Sequence, residues 1–528
     1  MGGTCKIVLM AIGLAAASPA FAQTPMANPE ARRSEAADRV AAAVDRLSFR
    51  PDLPAVLSTL ALLESAGERD ATTEGRLTAL KSAIDVSARA GRNGEALRSA
   101  YAAIDLLRGG GGTADAFDSS LALDVQPVAD PAFPLGVRLR SVWSEAVPPG
   151  TTLSLRLVEL GGGDQRRDLG KSPIPAGDLA AQPQRVMVDL RGVQPGSYQL
   201  EARAEAGGKL LATVRAPLSL VVDFYRQQAE IEAALKSVSG HDDAKATIRY
   251  PFSLARELFE GKREVRSYDF TAGVERSRAL VAALQAGTDP VVRAKGDIRR
   301  AYYFAEADSI VPFRLYVPSG WDGKSKLPLV IFLHGANLDD DDSMERANGL
   351  FPKLAEQKNV ILLAPLGYRM NSMYGAPVPA RFATAGSPIA AIDPRRVELS
   401  EKDVINLVDL ISKEYDVDRR RIYLAGNSMG AMGTWHLAQK YPDRWTAIAP
   451  AAAGATDDNY DFRRLRGMPI MPVAGEHDFL RPMVEETVAK ARDAGLKPNY
   501  VMVPGGDHGT GVEMAMPAIL DFFLKQKR

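Results

Sequence analysis

The sequence predicts a multidomain chain with N-terminal helices, an antiparallel β-sandwich, and a C-terminal α/β domain built on a mainly parallel sheet. Three observations carry this expectation. The chain has 528 residues, more than one core ordinarily fills. Its apolar pattern changes twice, from helical spacing to alternation near Phe117, and to strand and helix signals in turn near Thr288. In that last part, short β-branched runs recur between amphipathic stretches, as parallel strands covered by helices on both faces require.

The apolar (46%) and charged (25%) fractions are those of a globular protein. Lys plus Arg equals Asp plus Glu, 65 each, so no charge excess points to nucleic acid. Residues 1–22 read as a signal peptide: Lys6, the apolar "IVLMAIGLAAA", then Ala20-Phe21-Ala22 before Gln23. Cleavage after Ala22 would leave a periplasmic or secreted protein. No other segment approaches the ~18–20 apolar residues of a membrane-spanning helix. The only cysteine, Cys5, lies inside the signal, so the mature chain has no disulfide, cysteine nucleophile or thiolate metal site. Nothing in the sequence demands a metal or an organic cofactor.

Within residues 23–112, "LPAVLSTLALLESAG", "GRLTALKSAIDVSARAG" and "NGEALRSAYAAIDLL" carry apolar residues at helical spacing, and Gly109 to Gly112 end the segment. Residues 117–222 hold "FPLGVRLRSVW", "TTLSLRLVEL", "RVMVDLRGV", "GSYQLEARAEAGG" and "KLLATVRAPLSLVV", alternating runs separated by Gly, Pro and Asp. Such strands predict a small antiparallel, immunoglobulin-like sandwich, a spacer or accessory module. A helical linker region follows over 223–287. Residues 288–528 then carry the strand signals "VPFRLYVP", "LPLVIFLHG", "NVILLAPL", "RIYLAG", "TAIAPAAA", "MPIMPVAG" and "NYVMVPGG". Between two of them, Ser400 and Asp403 resemble a capping box for the helix in "SEKDVINLVDLISKEY".

The chemistry centres on Gly426-Asn427-Ser428-Met429-Gly430, a G-x-S-x-G with a strand before it and a helix after. In such a turn the glycines leave room for a close strand–helix approach, and the serine projects beyond the sheet. The helix N-terminus presents backbone N–H groups to a developing oxyanion. Glycine and serine are also common in ordinary turns, so the flanking strand and helix are what give the motif its meaning.

A serine nucleophile needs a base, and the chain has five histidines. His241 lies outside the α/β part, and His334 in "LPLVIFLHGAN" fits a loop that binds an oxyanion. His436 lies too far along the helix that follows Ser428, and His477 reads as a surface residue. His508, in the glycine-rich "VPGGDHGTG" after a strand, is the predicted base. For the group that orients it, Asp478 in "MPVAGEHDFL" is preferred to Glu476, and to Asp507, which adjoins the histidine. The N–H groups of Met429 and Ala336 are the predicted oxyanion donors.

Four segments, "LPLVIFLHGAN", "YDVDRRRIYLAGNSMGAMGTWHLAQKYPDRWTAIAPAAAG", "PVAGEHD" and "VPGGDHG", together resemble secreted α/β-hydrolase esterases of the polyhydroxybutyrate-depolymerase-like and feruloyl-esterase-like kind. They also resemble the predicted-peptidase branch related to prolyl oligopeptidases. The resemblance covers residues 288–528 only. It implies an extracytoplasmic serine hydrolase with Ser428, Asp478 and His508 at the triad positions, in the chain order of that fold. Ala431 stands where many relatives carry another glycine, and the long N-terminal extension separates this chain from them.

The expected activity is hydrolysis of carboxylic esters, in a small molecule or a polymer, through an acyl-enzyme. A serine peptidase is the alternative, and a catalytically silent binding module is the reading from another class. The segment from Leu366 to Leu399 reads as a lid or pocket wall, with Tyr368 and Tyr374 as candidate substrate contacts. Asp339 to Asp342 reads as a solvated acidic loop with Ser343 capping a helix, and Trp435 as a core residue. Oligomeric state is not legible in the sequence.

Overall fold

Residues 53–65, 69–112, 116–159, 166–263, 268–378, 392–457 and 459–528 are described by a computed structural model. The predicted signal peptide lies outside them. Helices α1 (Leu53–Ser65), α2 (Ala71–Arg89) and α3 (Asn93–Leu107) share a small core that includes Val56, Leu60, Leu77, Ile84, Leu97 and Ala100. Asp70 starts α2 by accepting a hydrogen bond from the Thr73 N–H. Trp143, from the next region, completes this core.

A short helix, α4 (Ala116–Ser120), leads into β1 (Leu121–Val125), β2 (Val128–Ala129), β3 (Leu135–Ser141) and β4 (Thr152–Glu159). Then come β5 (Arg166–Pro173), β6 (Gln184–Val188), β7 (Gly196–Ala206) and β8 (Lys209–Leu220). They form a three-stranded sheet, β1-β3-β6, and a five-stranded sheet, β2-β8-β7-β4-β5. Leu123, Val137 and Leu139 of the first meet Leu155, Leu200 and Val214 of the second in one core. One pairing departs from the antiparallel expectation: β2 runs parallel to β8, because the chain crosses from the smaller sheet to the edge of the larger.

Helices α5 (Phe224–Leu235), α6 (Asp242–Phe259) and α7 (Phe270–Gln285) are not a tether. They bury Phe224, Ile231, Ile248, Phe252 and Val274 together with Ala301 of β9 (Gly296–Phe304), the end strand of the C-terminal sheet. There the Thr247 hydroxyl of α6 donates to the Ala301 carbonyl (3.0 Å) and accepts from its N–H (3.1 Å). A side chain thus occupies backbone groups that would otherwise stand open at the sheet edge.

The sheet continues with β10 (Ser309–Val317), β11 (Leu329–Leu333), helix α8 (Asp342–Lys358), β12 (Ile361–Pro365) and helix α9 (Pro394–Glu414). Next are β13 (Ile422–Asn427), α10 (Met429–Lys440), β14 (Ala447–Ala451), β15 (Val473–Gly475), α11 (Arg481–Asp493), β16 (Val501–Val503) and α12 (Thr510–Leu524). Across the sheet the order is β9-β10-β12-β11-β13-β14-β15-β16, with β10 antiparallel to both neighbours and the rest parallel. In β11, Leu329, Ile331 and Leu333 enter the core on one face, while Val330 and Phe332 enter the core on the other. The connections from β11 and β12 leave on opposite sides, so the strand order reverses there. The carboxyl ends of β11 and β13 therefore flank a crevice where such sheets place their sites.

Two sequence expectations are corrected. Helix α9 starts at Asp393-Pro394, where the Asp393 carboxylate accepts from the Arg395 N–H. Ser400 and Asp403 are fully buried inside it, so they do not cap it. The Asp339–Asp342 run is not solvated: Asp339 and Asp340 are buried, Asp341 pairs with Arg299 and Arg314, and Asp342 with Arg346. Burial, reinforced by Asp341 and Asp339, holds the Asp340 carboxyl well above the ordinary carboxylate range. Ser343 lies within α8, whose first residue is Asp342. Among the described residues, no helix is long and apolar enough to cross a membrane.

Candidate active site

Strand β13 delivers Ser428 to the sheet's carboxyl edge with φ 56° and ψ −116°, a conformation that L-residues rarely adopt. Its N–H donates to the Ala451 carbonyl on β14 (2.9 Å), and its own carbonyl accepts from Ala431 and Met432. A Cβ on Gly426 would collide with the Gly430 carbonyl, and one on Gly430 with the Leu333 carbonyl of β11. Both glycines are thus required by close backbone approach.

The His508 Nε2 lies 2.9 Å from the Ser428 Oγ, and its Nδ1 lies 2.7 Å from the Asp478 Oδ1. Asp478 is buried, and the same oxygen accepts from the Leu480 N–H (2.8 Å). The rejected carboxylates have other partners. Asp507 accepts from the N–H groups of Gly509 and Thr510, and Glu476 from that of Gly505. The loops after β15 and β16 come this close because a Cβ on Gly475 would strike the carbonyls of Gly506 and Asp507.

The remaining histidines are placed elsewhere. His241 pairs with Asp289 (2.6 Å), His477 is exposed, and His436 bonds Glu401 (2.7 Å). The Glu401 carboxyl would be raised by its burial, but hydrogen bonds from His436, Lys440 and Tyr441 outweigh this and bring it down to about 2. His334 is fully buried, its ring nitrogens 2.8 and 2.9 Å from the carbonyls of Gly335 and Leu366.

The "HGAN" loop lies beside the nucleophile position, since a Cβ on Gly335 would sit 3.6 Å from the Ser428 Cβ. The Asn337 N–H donates to the Asn371 Oδ1 (2.8 Å), and the Asn371 Nδ2 donates to the Asn337 Oδ1 (2.9 Å). The Asn337 N–H is thus engaged, while the predicted donor, Ala336, is the residue before it in the same loop. Met429 is the first residue of α10, where N–H groups have no acceptor within the helix.

Of the two tyrosines, Tyr374 differs from expectation. Tyr374 is 1% exposed: its ring packs against Gly433 and Gly367, and its hydroxyl reaches the His334 carbonyl (3.4 Å). It is a core residue beneath the loop, because α10 has glycine at position 433 to receive the ring. Tyr368 is half-buried between the Phe304 ring (5.9 Å between centroids) and the Arg369 guanidinium (4.1 Å). Of the predicted lid, residues 379–391 lie outside the described residues, and most of residues 366–376 are buried. Trp435 is buried.

Sequence reasoning missed Phe479. Its ring is 4.4 Å from the His508 ring, and the residue is 57% exposed. The available signal was a large apolar side chain directly after Asp478 in a polar loop. A hydroxyl within proton-transfer distance of an imidazole, itself oriented by a buried carboxylate, can deliver a nucleophilic oxygen to a carbonyl.

The Esterase family model matches residues 305–458, which include Ser428 and the "HGAN" loop but stop short of Asp478 and His508. A bifunctional acetylxylan esterase/xylanase of Neocallimastix patriciarum is 27% identical over 168 residues, 31% of this chain and 21% of that protein. The chain thus spans about a fifth of that relative's length. Among solved structures, a fluorophosphonate-binding serine hydrolase of Staphylococcus aureus is 14% identical, covering 43% of this chain and 98% of that one, with a TM-score of 0.35. A ferulic acid esterase of Anaeromyces mucronatus is 16% identical over 44% of this chain and 90% of its own, with a TM-score of 0.34. A thermostable esterase is 15% identical over 78% of this chain and 100% of its own, with a TM-score of 0.37. Scores this low carry no argument about fold, which rests on the strand order and the family match. Over residues 305–458 the chain matches the Esterase family, and the domain built around that segment is an α/β-hydrolase domain of the esterase kind.

Proposed function

We propose that this protein is a serine hydrolase that cleaves carboxylic esters through an acyl-enzyme. The observation that carries the reading is the continuous link from Ser428 through His508 to Asp478, at 2.9 and 2.7 Å. In this reading His508 takes the proton of Ser428 as its Oγ attacks the ester carbonyl. Asp478 holds the imidazole and stabilises its charged form, and the N–H groups of Met429 and Ala336 receive the oxyanion. His508 then gives the proton to the departing alcohol. Water repeats the sequence on the acyl-enzyme, releasing the acid and restoring Ser428.

The exposed Phe479 ring beside His508 supplies an apolar surface against which the ester's acyl or alcohol group can lie. The substrate is an ester-containing small molecule or polymer, met outside the cytoplasm after removal of residues 1–22. The two N-terminal sheets act as an immunoglobulin-like accessory module.

The test is a fluorophosphonate probe on the mature protein, with the modified residue mapped by mass spectrometry. Labelling at Ser428 is expected, and it should disappear in His508→Ala. Ser428→Ala should lower ester turnover by at least about 10⁴-fold. Retained turnover in that variant would overturn the assignment.

A further inference from the structure

We propose that Asn371 is a positioning residue for the oxyanion-binding loop, carried on a segment whose flanking residues are held by polar contacts from helices α6 and α9. The inference rests on the esterase reading above. It starts from the backbone of residues 367–375, where φ is positive at Gly367 (72°), Tyr368 (65°), Met373 (64°), Tyr374 (52°) and Gly375 (88°). Three of these are not glycine. Strain of this kind persists only where the surroundings over-determine the conformation.

The surroundings do so from two sides. Asp403 of α9 accepts from the Tyr368 N–H (2.8 Å) and from the Tyr302 hydroxyl of β9 (2.6 Å). Arg396, also of α9, donates to the Ser372 hydroxyl (2.9 Å), and Ser400 donates to the Ser372 carbonyl. From the helical region, Glu257 of α6 pairs with Arg263 (2.7 Å) and Arg369 (3.4 Å), and Arg369 also donates to the Lys262 carbonyl (3.2 Å). Apart from the half-buried Arg396, these side chains are buried, where hydrogen-bonded charges hold geometry tightly.

What this loop presents is Asn371. Its amide makes both hydrogen bonds to Asn337, one to the backbone N–H and one to the side chain. Asn337 itself has a positive φ of 61°. The peptide it anchors adjoins Ala336, the second oxyanion donor of the proposed mechanism. Asn371 does not reach Ser428. It sets the orientation of the group that does the stabilising, and the helices of residues 223–287 help to set Asn371. Misplacing an oxyanion donor costs transition-state stabilisation while leaving ground-state binding nearly intact.

The experiment compares the parent with Asn371→Ala on p-nitrophenyl acetate, and measures inhibition by phenylboronic acid, whose serine adduct mimics the tetrahedral intermediate. Asn371→Ala should lower kcat roughly 10- to 100-fold with KM within about twofold, and weaken boronate inhibition by a similar factor. Asn337→Gly tolerates the positive φ and loses only the side-chain bond, so it should show the same split at about three- to tenfold. It also serves as the readout if Asn371→Ala does not fold. An unchanged kcat in a variant of an active parent overturns this inference alone. So does a loss that spares boronate affinity, or one expressed only in KM. A parent that turns over no ester and takes no fluorophosphonate at Ser428 removes the esterase reading, and this inference with it.

Discussion

In β3, buried and exposed residues alternate along the strand, whereas every residue of β11, β12, β13 and β14 is buried. The N-terminal sheets put one face on their common core and the other in water. The C-terminal sheet is covered on both faces by helices, and its strand ends are packed against neighbouring backbone. The difference shows in the glycines. Gly136 on β3 has open space, and a Cβ there would meet only the Met187 sulfur at 3.8 Å. Gly430 at the start of α10 has none. A site that needs fixed geometry sits where the surroundings cannot yield, and the more open sheets carry no comparable crowding at these positions.

Three changes of decreasing size sharpen this contrast. Gly430→Ala would drive a methyl into the Leu333 carbonyl, so it should cost several kcal/mol and abolish fluorophosphonate labelling. Thermal unfolding and active-site labelling measured together check this, and a stable, labelled variant would break the contrast. Glu401→Gln removes a carboxyl that hydrogen bonds from His436, Lys440 and Tyr441 hold at about 2, below its ordinary 4.5. A lowered folded pKa gives stability that is present above pH 4.5 and lost as pH falls toward 2. The variant should therefore be less stable at pH 7 and show a shallower acid decline in urea unfolding between pH 4.5 and 2. Gly136→Ala should change stability least, by about 0.5 kcal/mol and in the stabilising direction, because it reduces unfolded-state freedom without a clash. A denaturation midpoint that drops would show this face to be as constrained as the other.

The positions the sequence revealed were those whose chemistry is local. The spacing of Gly426, Ser428 and Gly430 follows from one tight turn, and Asp478 and His508 each follow a recognisable strand. The five strongest alternating runs of residues 117–222 all became strands. Strand β5 was missed because it is largely exposed and so has no alternation to read. The start of α9 was hidden because Asp393-Pro394 closes a long irregular stretch, while Ser400 and Asp403 imitate a cap. The acidic run at 339–342 looked solvated because Arg299 and Arg314 reach it only through the fold. Asn371 carries no motif at all: its partner lies 34 residues earlier, and only the folded chain joins them.

The bond between Thr247 and Ala301 bears on where this chain can be divided. Strand β9 ends the C-terminal sheet, and the Thr247 side chain of α6 occupies the backbone groups of Ala301 at that edge. Cutting the chain between α7 and β9 would strip that cover and uncover the apolar surface around Ala301, inviting strand-to-strand aggregation. A piece that keeps this edge covered therefore begins near Asp223, so that the three helices travel with the C-terminal sheet.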